Sequence, residues 1–249
     1  MSGHSKWSTI KHKKAQADAR KGAIYTKLAK EIQIAAREGG GDPEVNFGLR
    51  LAIDRAKTAN MPNSNIERAI KRGTGEDKDA AEMVKIHYEG YAPHGVALIL
   101  KCITDNRNRT VADIRHVLTK YGGSMGQEGS VSWQFTQRSF FNIPADLATY
   151  DQLFEIAAEA GADDVLEEAD YYEIVGPSDA FKNIFDELKA ASIKPDNSGL
   201  RMDPNQEIEL DMDDTLQVMK VIDLLEDLDD IQQVYSNLRI TDEVLEGVA

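Results

Sequence analysis

Apolar residues recur at helical spacing through the first part of the chain and predict a series of short helices. The first is predicted over residues 15–38, and the glycines at 39–41 end it. The second is predicted from Asp42, an N-cap followed by proline, to residue 60. The apolar stripes consist of Ile24, Leu28, Ile32 and Ala35 in the first helix and of Val45, Leu49, Ile53 and Ala56 in the second.

A third helix is predicted after the break at Met61 and Pro62. Ser64 and Glu67 have the spacing of a capping box, and Gly73 ends the helix. Three helices of this kind form a small bundle. A helix-turn-helix that reads DNA is the alternative interpretation of the same spacing. The polar residues 74–81 are predicted to be a linker.

Beyond the linker the hydrophobic pattern changes from helical to extended. The predicted elements are strands at 84–91 and 95–103, a helix at 110–121 and a strand at 130–135. A second block follows, with a strand at 139–143, a helix at 150–160, strands near 165 and at 171–175, a helix at 180–191 and a closing strand at 207–210. The second block has the β-α-β-β-α-β order of a ferredoxin-like domain.

The first block lacks a helix and a strand, which the C-terminal residues 215–228 and 231–238 supply. The sequence therefore predicts an α/β (α+β) protein with a small N-terminal helical bundle and two ferredoxin-like α/β domains, the second inserted into the first. The predicted boundaries are a basic N-terminal arm at 1–20, a helical domain at 21–76, a discontinuous α/β domain at 77–135 and 211–249, and an inserted α/β domain at 136–210.

Charge is distributed unevenly along the chain, whose net charge is −14. Residues 1–75 contain 15 Lys and Arg against 7 Asp and Glu, and the remainder contains 14 against 36. Cationic side chains that neutralise phosphates release counterions. The N-terminal part is therefore expected to bind nucleic acid, whereas the acidic remainder is expected to face solvent or a basic protein partner.

The candidate nucleic-acid-binding residues begin in the arm, where Trp7 offers a face on which a base can stack. The cationic candidates are Lys6, Lys11, His12, Lys13, Lys14, Arg20, Lys21, Lys27 and Lys30. The alternative is a solvated basic arm in which Trp7 only fixes the arm to the body. Arg107 and Arg109, next to a predicted helix start capped by Thr110 and Asp113, are a second candidate anion site. Pairing of these arginines with nearby carboxylates is the alternative.

Other chemistry has little support in the residue patterns. The single Cys102 excludes a disulfide framework, and the histidines lack ligand spacing. The carboxylates at 211–214 and 226–230 could hold a metal in an enzyme, but solvated charge beside a helix is the simpler interpretation. We predict no enzyme, cofactor or metal. Without a membrane span or a signal-peptide core, the predicted location is the cytoplasm.

Several motifs resemble the YebC/PmpR family. They are GHSKW at 3–7, IKHKK at 10–14, NIERAI at 65–70, TDNRNRT at 104–110, GSVSW at 129–133 and VYSN at 234–237. The resemblance covers essentially the whole chain. Two departures are Ser64, where the family usually has Asp, and residues 91–95, which replace a more glycine-rich loop.

The resemblance implies a helical N-terminal domain and two α/β domains, the last inserted into the middle one. It also implies a DNA-binding transcriptional regulator, as the family is generally described. Mitochondrial relatives resemble translational activators and bacterial members have been linked to the ribosome, so ribosomal or transfer RNA is the alternative target. An acidic body without a clear recognition helix keeps that alternative open.

Overall fold

Three helices open the described part of the structure. The computed structural model describes residues 17–77, 79–241 and 244, with side chains from residue 21 onward. Helix α1 is Ala17–Gly39, α2 is Phe47–Thr58 and α3 is Asn63–Gly73. Their shared core contains Ile32, Leu49, Ile53 and Ile66. Residues of both predicted stripes thus meet in one buried cluster, but Val45, which was predicted to belong to the second stripe, is 79% exposed in the turn before α2.

The predicted starts of α2 and α3 are wrong because other residues cap or precede these helices. Residues 43–45 form a turn, and α2 begins after Asn46, whose Oδ1 accepts a hydrogen bond from the Leu49 amide at 3.0 Å. The Asn46 Nδ2 donates to the carbonyl oxygens of Ala35 and Gly40, both at 2.8 Å. Asn46 therefore joins the end of α1 to the start of α2. Helix α3 follows Pro62 directly, and no side chain caps it there.

The rest of the described chain forms two antiparallel sheets with their helices. The strands are β1 (Val84–Tyr91), β2 (Ala97–Thr104), β3 (Ser124–Met125), β4 (Phe135–Pro144), β5 (Asp164–Glu167), β6 (Tyr171–Pro177), β7 (Asn197–Pro204) and β8 (Ile231–Ser236). The helices are α4 (Arg107–Lys120), α5 (Tyr150–Ala160), α6 (Phe181–Ala190) and α7 (Met212–Glu226). The mixed helix and sheet class, with helices first and two sheets after them, is confirmed.

The first sheet has the strand order β3-β1-β2-β8. Both strands of the β1–β2 hairpin are central, so this order differs from the ferredoxin-like one. The expected strand at 130–135 is wrong, because Ser132–Gln134 is a 3₁₀ turn and β4 starts only at Phe135. The third strand is instead β3, in a glycine-rich loop. Gly90 allows it to approach, since a Cβ there would lie 2.7 Å from the Ser124 carbonyl oxygen.

The second sheet has the ferredoxin-like order β5-β6-β4-β7, with every neighbouring pair antiparallel. Its closing strand is β7, paired along β4, and not residues 207–210 as expected. Within 207–210 the pairing is an isolated bridge from Ile208 to Leu238. The polar, Gly- and Pro-containing sequence of β7 explains the error, because such residues have low strand propensity and are tolerated at a sheet edge.

The described residues divide into two compact units. One contains 17–131 and Leu210–Ser236, with the helical region and the first sheet. The other contains Ser132–Glu209 together with the described residues from Asn237 onward, and holds the second sheet. We call the 132–209 part of the latter the inserted unit. Each unit thus contains one of the two sheets.

Candidate nucleic-acid interface

The predicted nucleic-acid-binding residues fall into three groups. Those of the arm lie outside the described residues, as does the side chain of Arg20: Lys6, Trp7, Lys11, His12, Lys13 and Lys14. Lys21 and Arg107 are exposed. Lys27, Lys30 and Arg109 are engaged with other parts of the protein. The predicted binding residues therefore differ in whether a nucleic acid could reach them.

Lys27 and Lys30 reach from α1 to the end of α7 and to the segment that follows it. The Lys27 ammonium donates to the Glu226 carbonyl oxygen. The Lys30 ammonium donates to the Asp229 carbonyl oxygen at 2.8 Å and pairs with Asp230 Oδ1 at 2.7 Å. Only 11% of the Lys30 side chain is exposed. These contacts fix α1 to the end of α7 and to the residues before β8. Both lysines therefore stabilise the fold.

Asp230 is the centre of this contact. Its carboxylate is buried and accepts hydrogen bonds from the hydroxyls of Thr104 at 3.1 Å and Thr110 at 2.8 Å. Arg109 Nη2 pairs with it at 2.9 Å. Burial alone raises the pKa of Asp230, but the hydrogen bonds from Lys30, Arg109 and Thr110 outweigh it and lower that pKa. We call Asp230, Lys30, Arg109, Thr104 and Thr110 the Asp230 cluster.

At the second candidate anion site, the start of α4, several of the hydrogen-bond donors are already bonded to side chains of the protein itself. Helix α4 begins at Arg107 and not at the expected Thr110, because Asn106 caps it. Asn106 Oδ1 accepts from the Arg109 amide at 3.1 Å, so a helix amide that a phosphate could use is already bonded. The Arg109 guanidinium also pairs with Asp105 at 2.8 Å. Arg109 therefore pairs with carboxylates of the protein, which was the alternative to an anion site.

Exposed cations lie on α2 and α3 of the helical region. Arg68 and Lys71 are three residues apart on α3, opposite the buried Ile66 and Ala69, and both are exposed. Lys57 is exposed near the end of α2. Lys57 is not among the predicted binding residues, although its position beside Ala56, a buried residue of an amphipathic helix, was a usable signal. We call Lys57, Arg68 and Lys71 the outer basic face.

Glu89 is a second residue that sequence reasoning missed. It is buried on β1, and its carboxylate accepts from the amides of Gly129 at 2.8 Å and Val131 at 2.6 Å. Gly129 adopts a φ of 84°, which favours glycine. These contacts account for the first part of the GSVSW motif as a loop folded around a carboxylate. The Trp133 side chain at the end of the motif is exposed.

The described part of the chain offers little support for a reactive thiolate or a metal site. Burial raises the pKa of Cys102 to about 12, so its thiolate is scarce at neutral pH. Among the described residues, no three His, Cys, Asp or Glu side chains are grouped to hold a metal ion. No helix within the same residues is both long enough and apolar enough to cross a bilayer.

The class that these observations define is a helical region with an outer basic face, followed by two antiparallel sheets of which the second lies in an insertion. Comparison with known families gives the particular group. The TACO1/YebC protein N-terminal domain matches residues 5–76, and the TACO1/YebC second and third domain matches residues 83–238. The chain belongs to the TACO1/YebC family, which confirms the resemblance found in its motifs.

The similarity extends over the full length of named relatives. A probable transcriptional regulatory protein of Rubrobacter xylanophilus is 47% identical over 249 residues and is covered completely, as is this chain. One of Bifidobacterium animalis subsp. lactis is 50% identical over 246 residues, or 98% of each chain. The crystal structure of a conserved hypothetical protein from Aquifex aeolicus matches with a TM-score of 0.84 at 40% identity, covering 95% of this chain and 97% of that one.

Proposed function

We propose that the chain is a non-enzymatic, cytoplasmic, nucleic-acid-binding regulator of gene expression, and specifically a DNA-binding regulator of transcription. The observation that carries the proposal is the outer basic face, in which Lys57, Arg68 and Lys71 are exposed. The names of the full-length relatives support the regulatory role.

The physical basis is the contrast between two sets of cations. Cations on the last turns of α1 and in its middle are paired, as Lys30 is with Asp230 and as Arg37 is with Glu82, which lies just before β1. Arg68 and Lys71 point away from the buried side of α3. Exposed cations neutralise the phosphates of a bound nucleic acid and release its counterions, which makes binding favourable and dependent on salt.

A translation factor that binds ribosomal or transfer RNA is the second candidate. The observation that favours it is the composition of the exposed side of α3, where Glu67 stands among the cations. Reading of base edges in a major groove needs several side chains directed at the bases from a helix that lies between two phosphate backbones, and those phosphates would repel the Glu67 carboxylate. RNA recognition by shape and backbone needs fewer such contacts.

The first experiment measures binding of the full chain to labelled duplex DNA and to labelled ribosomal RNA fragments by fluorescence anisotropy. The double variant Arg68→Glu with Lys71→Glu removes two phosphate contacts and adds two repulsions, so we expect at least tenfold weaker binding and a smaller dependence on salt between about 50 and 200 mM. The matched control, Lys189→Glu with Lys194→Glu, makes the same charge change at exposed positions of the inserted unit.

Equal weakening by both double variants would show that net charge and not the outer basic face governs binding, and would reject the site. The triple variant Lys11→Glu, Lys13→Glu and Lys14→Glu tests the arm in the same assay. Unchanged affinity for every nucleic acid would reject the arm contacts.

Sedimentation with ribosomes through a sucrose gradient separates the two candidates. Binding to duplex DNA that depends on its sequence, without co-migration at physiological salt, supports the transcriptional role. Co-migration with ribosomes together with weak, sequence-independent DNA binding would reject that role in favour of translation.

A further inference from the structure

The inserted unit exposes aromatic side chains on the outer side of α5. Phe154 is 51% exposed and Tyr150, one helical turn before it, is 37% exposed. The Tyr150 and Phe154 ring centroids lie 6.1 Å apart, and the Tyr150 ring also meets the edge of Tyr172 on β6 at 6.1 Å. Leu147, in the turn before α5, is exposed as well. Large apolar side chains grouped at a surface commonly mark an interaction site.

The core of the inserted unit does not account for these side chains. Helix α5 buries Leu153 and Ala157 on its inner face. Below it, the buried Phe141 of β4 stacks on Phe181 of α6 with ring centroids 4.8 Å apart. Exposing Tyr150 and Phe154 therefore costs free energy that burial by a partner would recover, at about 25 cal/mol for each Å² of apolar surface.

The charged residues that neighbour these aromatic side chains in the sequence have one sign. Asp146, Asp151 and Glu155 are exposed next to Leu147, Tyr150 and Phe154 in the sequence. No Lys, Arg or His occurs from residue 139 to residue 181, whereas that stretch contains 11 Asp and Glu residues. We call Leu147, Tyr150, Phe154 and Tyr172, with the carboxylates of Asp146, Asp151 and Glu155, the acidic aromatic patch.

We propose that the acidic aromatic patch binds a cationic amphipathic segment of another protein, one that carries apolar side chains flanked by Lys or Arg. Apolar side chains of such a segment would cover Tyr150 and Phe154, while its cations would meet the flanking carboxylates. Nucleic acid fits poorly, because phosphates would be repelled by the same carboxylates. A second copy of the chain also fits poorly, since a two-fold interface would place the acidic rim against itself.

The test uses the full chain and a synthetic helical peptide of Leu and Lys whose leucines form one face, titrated by isothermal calorimetry at about 150 mM salt, where a ~8 Å Debye length weakens diffuse attraction. A control peptide has the leucines replaced by Ser. We expect the variant Tyr150→Ser with Phe154→Ser to weaken binding of the Leu/Lys peptide at least tenfold, and the variant Asp151→Lys with Glu155→Lys to do the same. The control peptide should bind at least tenfold more weakly than the Leu/Lys peptide.

A matched charge control decides whether the site is local. Glu187 and Glu207 are exposed elsewhere in the inserted unit, and Glu187→Lys with Glu207→Lys makes the same change in net charge. We expect this control to change peptide affinity by no more than twofold. Weakening equal to that of Asp151→Lys with Glu155→Lys would mean diffuse attraction and would overturn the proposal, as would unchanged affinity in the Tyr150 and Phe154 variant.

The other occupants give distinct results in two further measurements. Loss of a dimer on Phe154→Ser in sedimentation velocity would assign the patch to self-association, and lower nucleic-acid affinity in the same variant would assign it to nucleic acid. Either outcome overturns the proposal. The variant Arg68→Glu with Lys71→Glu should bind the peptide like the unmodified chain. Failure of the nucleic-acid proposal can therefore be distinguished from failure of this one.

Discussion

Two buried carboxylates, one in each compact unit, bind cations in different ways. Asp230 binds Lys30 of α1 and Arg109 of α4, and these partners lie 200 and 121 residues from it in the chain. Glu173 on β6 binds Arg201 of β7 through two hydrogen bonds of 2.8 Å, and Arg201 also pairs with Asp203 at 2.6 Å. We call Glu173, Arg201 and Asp203 the Glu173 cluster.

The difference between the clusters lies in what they hold together. The Glu173 cluster stays within one sheet, where Arg201 passes 5.1 Å from the centre of the Phe140 ring on the intervening strand β4. The Asp230 cluster joins the helical region to the first sheet. Burying charge costs free energy in both cases, so removal of one partner is expected to cost more than the intact pair contributes. The Asp230 cluster should therefore govern how α1 is seated, and the Glu173 cluster should affect only its own sheet.

The largest effect is expected from Asp230→Ala. The variant leaves the Lys30 ammonium, which is almost buried, without its anion and removes the carboxylate oxygen to which the Thr104 and Thr110 hydroxyls donate. We expect a loss of about 3–5 kcal/mol in the free energy of unfolding, measured in urea. Hydrogen exchange should rise along α1.

Asp229→Ala is the control for this variant, because Asp229 is exposed and offers Lys30 its backbone carbonyl, which the substitution keeps. The control should lose less than about 0.5 kcal/mol. A similar loss in both variants, or unchanged exchange in α1, would show that the Asp230 cluster does not seat the helix.

The second effect in size is expected from Glu173→Gln. The substitution keeps the shape of the side chain but removes its charge and replaces one of the two oxygens that accept from the guanidinium with an amide donor. Because Arg201 keeps Asp203 as a partner, we expect a smaller loss, about 2–3 kcal/mol, in the same urea experiment. Exchange should rise in β6 and β7 and stay unchanged in α1. Glu167→Gln on the exposed side of β5 is the control, and faster exchange in α1 would contradict the contrast between the clusters.

Local patterns predicted the elements better than they predicted the long-range contacts. The helical stripe containing Ile32 and the ferredoxin-like element order were legible, because both depend on spacing along a short segment. The pairing of Lys30 with Asp230 was not, since nothing local distinguishes Lys30 from an exposed lysine such as Lys21. The closing strand was missed for a related reason, because the polar β7 gains its strand conformation from pairing with β4.

The pH dependence of stability is expected to distinguish the Asp230 cluster. Hydrogen bonds from its partners lower the pKa of Asp230 in the folded chain despite its burial. The stabilisation is therefore complete above the ordinary carboxylate pKa of about 4 and is lost as the pH falls through the lowered folded pKa. Comparison of the unmodified chain with Asp230→Asn in urea at pH 6, 4 and 3 should show a difference in unfolding free energy that shrinks as the pH falls. A difference that stays constant or grows would contradict the assignment.

The smallest effect is expected from Arg109→Ala, although Arg109 touches the same carboxylate as Lys30. The Arg109 side chain is 47% exposed, so its pairing with Asp230 at 2.9 Å and Asp105 at 2.8 Å competes with water. Lys30 and both threonine hydroxyls continue to satisfy Asp230. We expect a loss of about 0.5–1 kcal/mol in the free energy of unfolding, and less at high salt. Arg115→Ala, at an exposed position of the same helix, is the control, and a loss as large as that of Asp230→Ala would mean that Arg109 and not Lys30 neutralises the buried carboxylate.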